Sequence, residues 1–347
     1  MKQNSFKIKI IAGILIGMEC VILTTALGFV VYSRYKNYAP GASITRIDHN
    51  KVEFKPSVTL TGYYEWKPNQ LIEYENAWQQ IKPLRRSNSD GLAEDVERSP
   101  DKDPKIFRII ALGDSFTEGP YVRYEDTYPV KLEHILNTTT LCDNAKRYEV
   151  INFGNWGYDI EFASHRLLTK GIKYKPDLVL WLVKDDDFYE INELLVKKID
   201  QYTASLTETE KADITKFAKY DLVDDDLKNS HAGTQDVLRN VASKEILNEI
   251  SPEKYFSIQT RAVINTASSV QVPIVLITFQ STDSKYKARM KVWSKSEKNL
   301  RVFDEMENLA DDETFKPFDW HPNEKGYLKI AENIFRYLSE SGSLCHE

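Results

Sequence analysis

From residue 107 onward, short apolar runs alternate with amphipathic stretches, and this rhythm limits the chain to few folds. "FRIIAL" (107–112), "YEVINF" (148–153), "DLVLWLV" (177–183) and "VPIVLITF" (272–279) each have the length of one buried strand, and "RVFDEM" (301–306) reads as a fifth. Helical period marks the segments between and after them: "EDTYPVKLEHILN" (125–137), "DIEFASHRLLTKGI" (159–172), "SPEKYFSIQTRAVINTASS" (251–269) and "NEKGYLKIAENIFRYLSES" (323–341). Strands that are apolar throughout must be covered on both faces, and helices between consecutive strands supply that cover. The expected class is therefore α/β: an open three-layer, mostly parallel sheet with helices on both faces, built by residues 107–341 and followed by a short tail, 342–347. Residues 188–250 break the rhythm with charged, helical sequence around a loop-like "DLVDDDLKNS" (221–230). An insertion there lies where open α/β sheets bind ligands, so it reads either as a lid or as a solvated decoration.

The N-terminal third is organised differently. After a short tail (1–9), "IIAGILIGMECVILTTALGFVVY" (10–32) is almost unbroken apolar sequence, close to the ~20 residues a helix needs to cross a bilayer. Lys2, Lys7 and Lys9 precede it and Arg34 and Lys36 follow, so charge bias orients it weakly. Glu19 sits mid-span, where a lone carboxylate is costly. Two readings stand: an uncleaved anchor, favoured by apolar character through Tyr32, and a signal peptide cut near "TTALG" (24–28). Either one exports the folded part. Residues 33–106 read as a linker and N-terminal extension, with a strand or hairpin in "SVTLTGYYEW" (57–66) and a loop in "SNSDGLAEDVERSPDKDPK" (87–105). The net charge of −6 argues against a nucleic-acid partner. Three cysteines exclude a disulfide framework, although Cys142 and Cys345 are able to pair in an oxidising compartment.

The first strand ends in Gly113, Asp114 and Ser115, at the sheet edge where such folds place their sites. The turn is not the G-x-S-x-G elbow, because Thr117 stands at the second glycine. Gly-Asp-Ser alone also punctuates ordinary turns. At the far end, "FKPFDWHPNEKG" (315–326) puts Asp319 two residues before His321. In extended chain such residues face one side, so Asp319 can hold the imidazole while its other nitrogen points at Ser115. That is the orienter, base and nucleophile of acyl transfer. The bland alternative is that Asp319 and Asn323 merely cap the last helix. Among the six histidines only His321 has this setting.

Taken together, these segments resemble the SGNH/GDSL hydrolase superfamily over about residues 88–190 and 251–341. "GDSFTEG" (113–119) matches its first block, with Ser115 at the nucleophile position. "NFGNWGY" (152–158) looks like the second, whose glycine amide lines the oxyanion hole; Gly157 is the better match and Gly154 the alternative. "PDLVLWLVKDDDF" (176–188) resembles the third, and "DWHPNEKG" (319–326) the fifth, with His321 and Asp319 completing the triad. The resemblance implies an SGNH, flavodoxin-like sheet, which here follows the transmembrane helix read from residues 10–32, and no metal or cofactor. Two departures stand out. The acid–histidine spacing is Asp-x-His rather than Asp-x-x-His. In the third block, Lys184 replaces a glycine and Asp186 occupies the position of the asparagine that donates to the oxyanion. An ionised Asp186 repels that charge; crowding by Asp185 and Asp187 is expected to raise its pKa and keep it a donor. Otherwise the Ser115 and Gly157 amides must suffice, helped by Lys184.

The expected protein is a single-pass cell-membrane serine esterase with its catalytic domain outside the cytoplasm. It removes or transfers O-acyl groups on cell-surface glycans or lipids. Its rival is a degenerate SGNH domain serving as a glycan-binding or assembly module, for which Asp186 is the main support. A cation site in "KDDDFYE" (184–190) is a weaker idea, since consecutive strand residues alternate sides and do not converge.

Overall fold

The computed structural model describes residues 63–207 and 234–344 apart from 73, 75–77, 80–82, 140–146 and 190, together with 52–54 and 60. The apolar span 10–32, all three cysteines and the segment 221–230 lie outside these residues. Among the described residues no helix is long and apolar enough to cross a membrane.

Two small antiparallel pairs come first. β1 (Val52–Phe54) pairs with β2 (Tyr64–Trp66), and β3 (Leu71–Ile72) pairs with β4 (Arg85–Arg86). The main sheet then begins with β5 (Ile106–Gly113), followed by a one-turn helix α1 (Ser115–Glu118) and by α2 (Tyr128–Thr138). β6 (Arg147–Gly154), α3 (Ile160–Thr169) and β7 (Leu178–Leu182) continue the alternation. A short α4 (Asp185–Tyr189) leads into the insertion helices α5 (Asn192–Ser205) and α6 (Thr234–Glu249). α7 (Pro252–Val270), β8 (Ile274–Phe279), α8 (Ser284–Ser296), β9 (Leu300–Met306) and α9 (Glu324–Glu340) complete the fold.

The five strands β5 to β9 are all parallel, in the order β6-β5-β7-β8-β9. Alternate residues of each strand feed opposite cores, as the period of two requires. Ile110, Leu112, Val179 and Trp181 pack with Phe162, Leu167, Val263, Met290 and Trp293 from α3, α7 and α8. Ile109, Ala111, Leu178 and Leu180 pack with Leu132, Leu136, Ile330 and Ile334 from α2 and α9. This is the expected three-layer arrangement. Helix α8 is an addition to it: its buried stripe is only Tyr286, Met290 and Trp293, set among lysines and serines. Within the insertion, Ile191 and Leu195 pack against Ala242 and Ile246, and Tyr255 of α7 joins this cluster.

In this strand order the chain departs from β5 in opposite directions, to β6 on one side and β7 on the other. The crevice at their carboxyl ends is the switch point where such sheets bind ligands. Gly113 and Leu182 end the two strands there, so Ser115 and the 184–187 segment face one crevice.

Candidate active site

Asp114 caps α1 by accepting the Phe116 N–H at Oδ1 (2.8 Å), which places Ser115 at the first helical position. The turn sits hard against the sheet. A Cβ on Gly154 lies 2.3 Å from the Glu118 backbone nitrogen, so only glycine lets β6 pass beneath α1. The Gly154 N–H is committed to Asn152 Oδ1 (3.0 Å).

On the opposite side, residues 315–321 close on themselves. The Phe315 N–H bonds the His321 carbonyl (3.1 Å), and Asn323 caps α9 through Lys325 N–H and Gly326 N–H. Asp319 Oδ1 accepts the His321 N–H (2.8 Å) and lies 2.6 Å from His321 Nδ1. His321 Nε2 lies 2.7 Å from Ser115 Oγ. Burial alone pushes the Asp319 carboxyl up, but its bonds to His321 and to the Tyr121 hydroxyl hold it below the usual carboxylate range. An ionised Asp319 assigns the proton to Nδ1 and leaves Nε2 to accept from Ser115. The structure thus brings Ser115, His321 and Asp319 together, 206 residues apart in sequence at their widest bond.

Three aromatic rings, none singled out in the sequence for this task, enclose His321. Trp156 stacks on it (5.1 Å, 18°), Tyr121 meets it edge-on (5.3 Å, 89°) and Phe116 lies tilted beside it (5.1 Å, 42°). Trp156 directly precedes Gly157, so the stack brings the second block to the imidazole.

The third block departs from expectation. α4 turns residues 185–189 into a helix rather than extending the strand, and carboxylate oxygens of Asp114, Asp186 and Asp187 gather within 4.8 Å of one another. Their cation comes from the chain itself. Lys184 Nζ lies 2.7 Å from Asp114 Oδ2 and 2.8 Å from both oxygens of Asp186, and its backbone N–H reaches Asp187 Oδ2 (2.8 Å). Of the three adjacent aspartates, Asp186 and Asp187 do converge, and Asp114 joins them, while Asp185 turns away to accept the Asp283 N–H; Asp114 and Asp186 meet on the Lys184 ammonium and Asp187 on its backbone N–H.

Burial on its own pulls Lys184 down, but Asp114, Asp186 and Asp187 hold it well above the ordinary lysine range. The pKa rise expected for Asp186 falls on its neighbours instead. Burial and mutual repulsion push Asp187 well up and Asp114 up, while Lys184 outweighs burial at Asp186 and holds it below the usual range. As an ionised acceptor with both oxygens on Lys184, the Asp186 carboxylate has no proton to donate to an oxyanion. The expectation that it joins the oxyanion hole is corrected on that ground.

No family model matches the chain, and no curated protein matches it. Among solved structures it is similar to a G-D-S-L family protein from Desulfitobacterium hafniense DCB-2, at 15% identity and a TM-score of 0.39, over 66% of this chain and 98% of that one. A catalytic mutant of an acetylxylan esterase from Geobacillus stearothermophilus aligns at 13% identity and a TM-score of 0.39, over 66% and 92%. A two-domain esterase active on acetylated mannans aligns at 14% identity and a TM-score of 0.39, over 69% and 50%. The solved proteins that this chain is similar to thus include a lipolytic protein of the G-D-S-L family, an acetylxylan esterase and an esterase active on acetylated mannans.

Proposed function

We propose that this chain is a membrane-anchored serine hydrolase that cleaves O-acyl esters outside the cytoplasm. One observation carries the reading: the unbroken relay from Asp319 through His321 (2.6 Å) to Ser115 (2.7 Å) at the switch point. Ser115 Oγ attacks the ester carbonyl as its proton passes to His321 Nε2. The Ser115 and Gly157 N–H groups receive the developing oxyanion. Collapse expels the alcohol, which takes the proton from His321. Water then enters by the same route and releases the acid and free Ser115. A sugar hydroxyl in place of that water turns hydrolysis into acyl transfer. Ionised Asp319 keeps the imidazole in the useful tautomer and stabilises the imidazolium. The resemblance of the sequence blocks supports O-acyl groups of cell-surface glycans or lipids as substrate, and the span 10–32 supports the anchor.

Ser115→Ala is expected to lower hydrolysis of p-nitrophenyl acetate by at least about 10³-fold with the fold intact, and the Ser115→Ala/His321→Ala pair to be little worse. A fluorophosphonate should label the wild type and not Ser115→Ala. Failure of the wild type to label favours the rival reading, a binding module, for which the Asp186 replacement speaks.

A further inference from the structure

We propose that Tyr64 and Glu118 are positioning residues of this site: together they clamp the Trp156–Gly157 peptide, and so aim the Gly157 N–H and seat the Trp156 ring on His321. This rests on the hydrolase reading above. Glu118 is the last residue of the nucleophile turn and is fully buried. Its Oε2 accepts the Trp156 N–H, and its Oε1 accepts the Trp66 indole N–H (3.0 Å) and the Tyr74 hydroxyl. A buried carboxylate is expensive unless every oxygen is engaged. Here each bond ties the nucleophile turn either to the second block or to the N-terminal extension.

Tyr64 closes the clamp from the other side. Its hydroxyl donates to the Trp156 carbonyl. In a planar trans peptide the C=O and the next N–H point in opposite directions, so fixing the Trp156 carbonyl fixes the direction of the Gly157 N–H. Glu118 fixes the preceding peptide through the Trp156 N–H. With both planes held, the Trp156 side chain has one seat, on the imidazole. The turn itself needs this support: Gly157 has φ +67, and its carbonyl accepts from Asn192 Nδ2 (2.8 Å). Tyr64 is held in turn by β2 and by the Tyr158 hydroxyl, which donates to its carbonyl. Its ring meets Tyr158 (5.6 Å, 78°) and Phe162 (6.4 Å, 78°) edge-on, contacts that do not need the hydroxyl.

The test uses the full chain with Tyr64→Phe and Glu118→Gln beside Ser115→Ala. Tyr64→Phe keeps the ring and its packing, so its melting temperature should stay within a few degrees of the wild type. Its kcat on p-nitrophenyl acetate is expected to fall about tenfold or more with KM within about twofold, because a misaimed donor is lost only in the transition state. Glu118→Gln keeps one acceptor oxygen but turns its NH2 either toward the Trp156 N–H or toward the Trp66 and Tyr74 donors, so at least one donor is left facing a donor and the loss should be greater. A second readout is independent of turnover: in protein labelled with 15N-glycine, the Gly157 amide resonance, assigned by its absence in Gly157→Ala, should move in Tyr64→Phe. An unchanged kcat in Tyr64→Phe while Ser115→Ala is inactive overturns the clamp and leaves the hydrolase reading standing. If the wild type hydrolyses no ester, the hydrolase reading fails, and an unmoved Gly157 resonance still overturns the clamp.

Discussion

Asp186 carries its charge against the Lys184 ammonium, with both oxygens 2.8 Å from Nζ, and Lys184 is the main influence that holds its pKa down against burial. The role of Asp186 was hidden in the sequence, whereas that of Asp319 was not. Asp319 and His321 are two residues apart on extended chain, and local geometry is enough to pair them. Asp186 finds its partners through a change of element, from strand to helix, that the run of aspartates does not announce.

At the level of elements, the Lys184 cluster joins the end of β7 and the first turn of α4 to the cap of α1. Its stability has a definite dependence on pH. Burial, Asp114 and Asp186 push the Asp187 pKa well above its ordinary value, with Lys184 pulling the other way. An unfolded aspartate titrates near ~3.9. The folded state therefore holds a proton that the unfolded state releases, and stability falls as pH rises from about 4 through the raised folded value. Asp187→Asn keeps an oxygen for the Lys184 N–H and removes the titration. Its melting temperature relative to wild type should rise steadily from pH 4 to pH 8; a difference that is flat or shrinking over that range would refute the raised Asp187. The same contrast of local and distant causes explains which elements the sequence reveals. β7 and β8 are buried along their whole length and β5 at all but Ile106, so their runs are apolar apart from Arg108, which is buried against Glu149, and Thr278. α8 buries three side chains against lysine-rich turns, too narrow a stripe to stand out, yet Trp293 and Met290 complete one face of the core.

Considered as a whole, the molecule does not divide at residue 106 in the way its composition does. The extension reads as polar linker because no motif marks it. Even so, Tyr63, Trp66, Tyr74 and Arg85 are buried, and Arg85 donates to the carbonyls of Glu118, Gly119 and Ala93. The Arg85 bonds span 8 to 34 residues of sequence and the bond from Lys170 Nζ to Glu65 Oε2 spans 105, and no local pattern encodes them. The apolar span and the extension should therefore behave differently on truncation. Removing residues 1–34 takes away only the proposed tether, so residues 35–347 should remain in the supernatant after ultracentrifugation and keep the kcat of the full chain on p-nitrophenyl acetate. Removing residues 1–76 also takes Tyr64, Trp66 and Tyr74. Glu118 then loses two of its three donors, and the Trp156 carbonyl loses its hydroxyl. A hydrogen bond to a charged group contributes about 1.5–3 kcal/mol, so the melting temperature should drop together with kcat, at least as far as in Glu118→Gln. Full activity in residues 77–347 would show that the extension only covers the site. Activity of residues 35–347 that returns only with added lipid would instead give the span a part in catalysis beyond tethering.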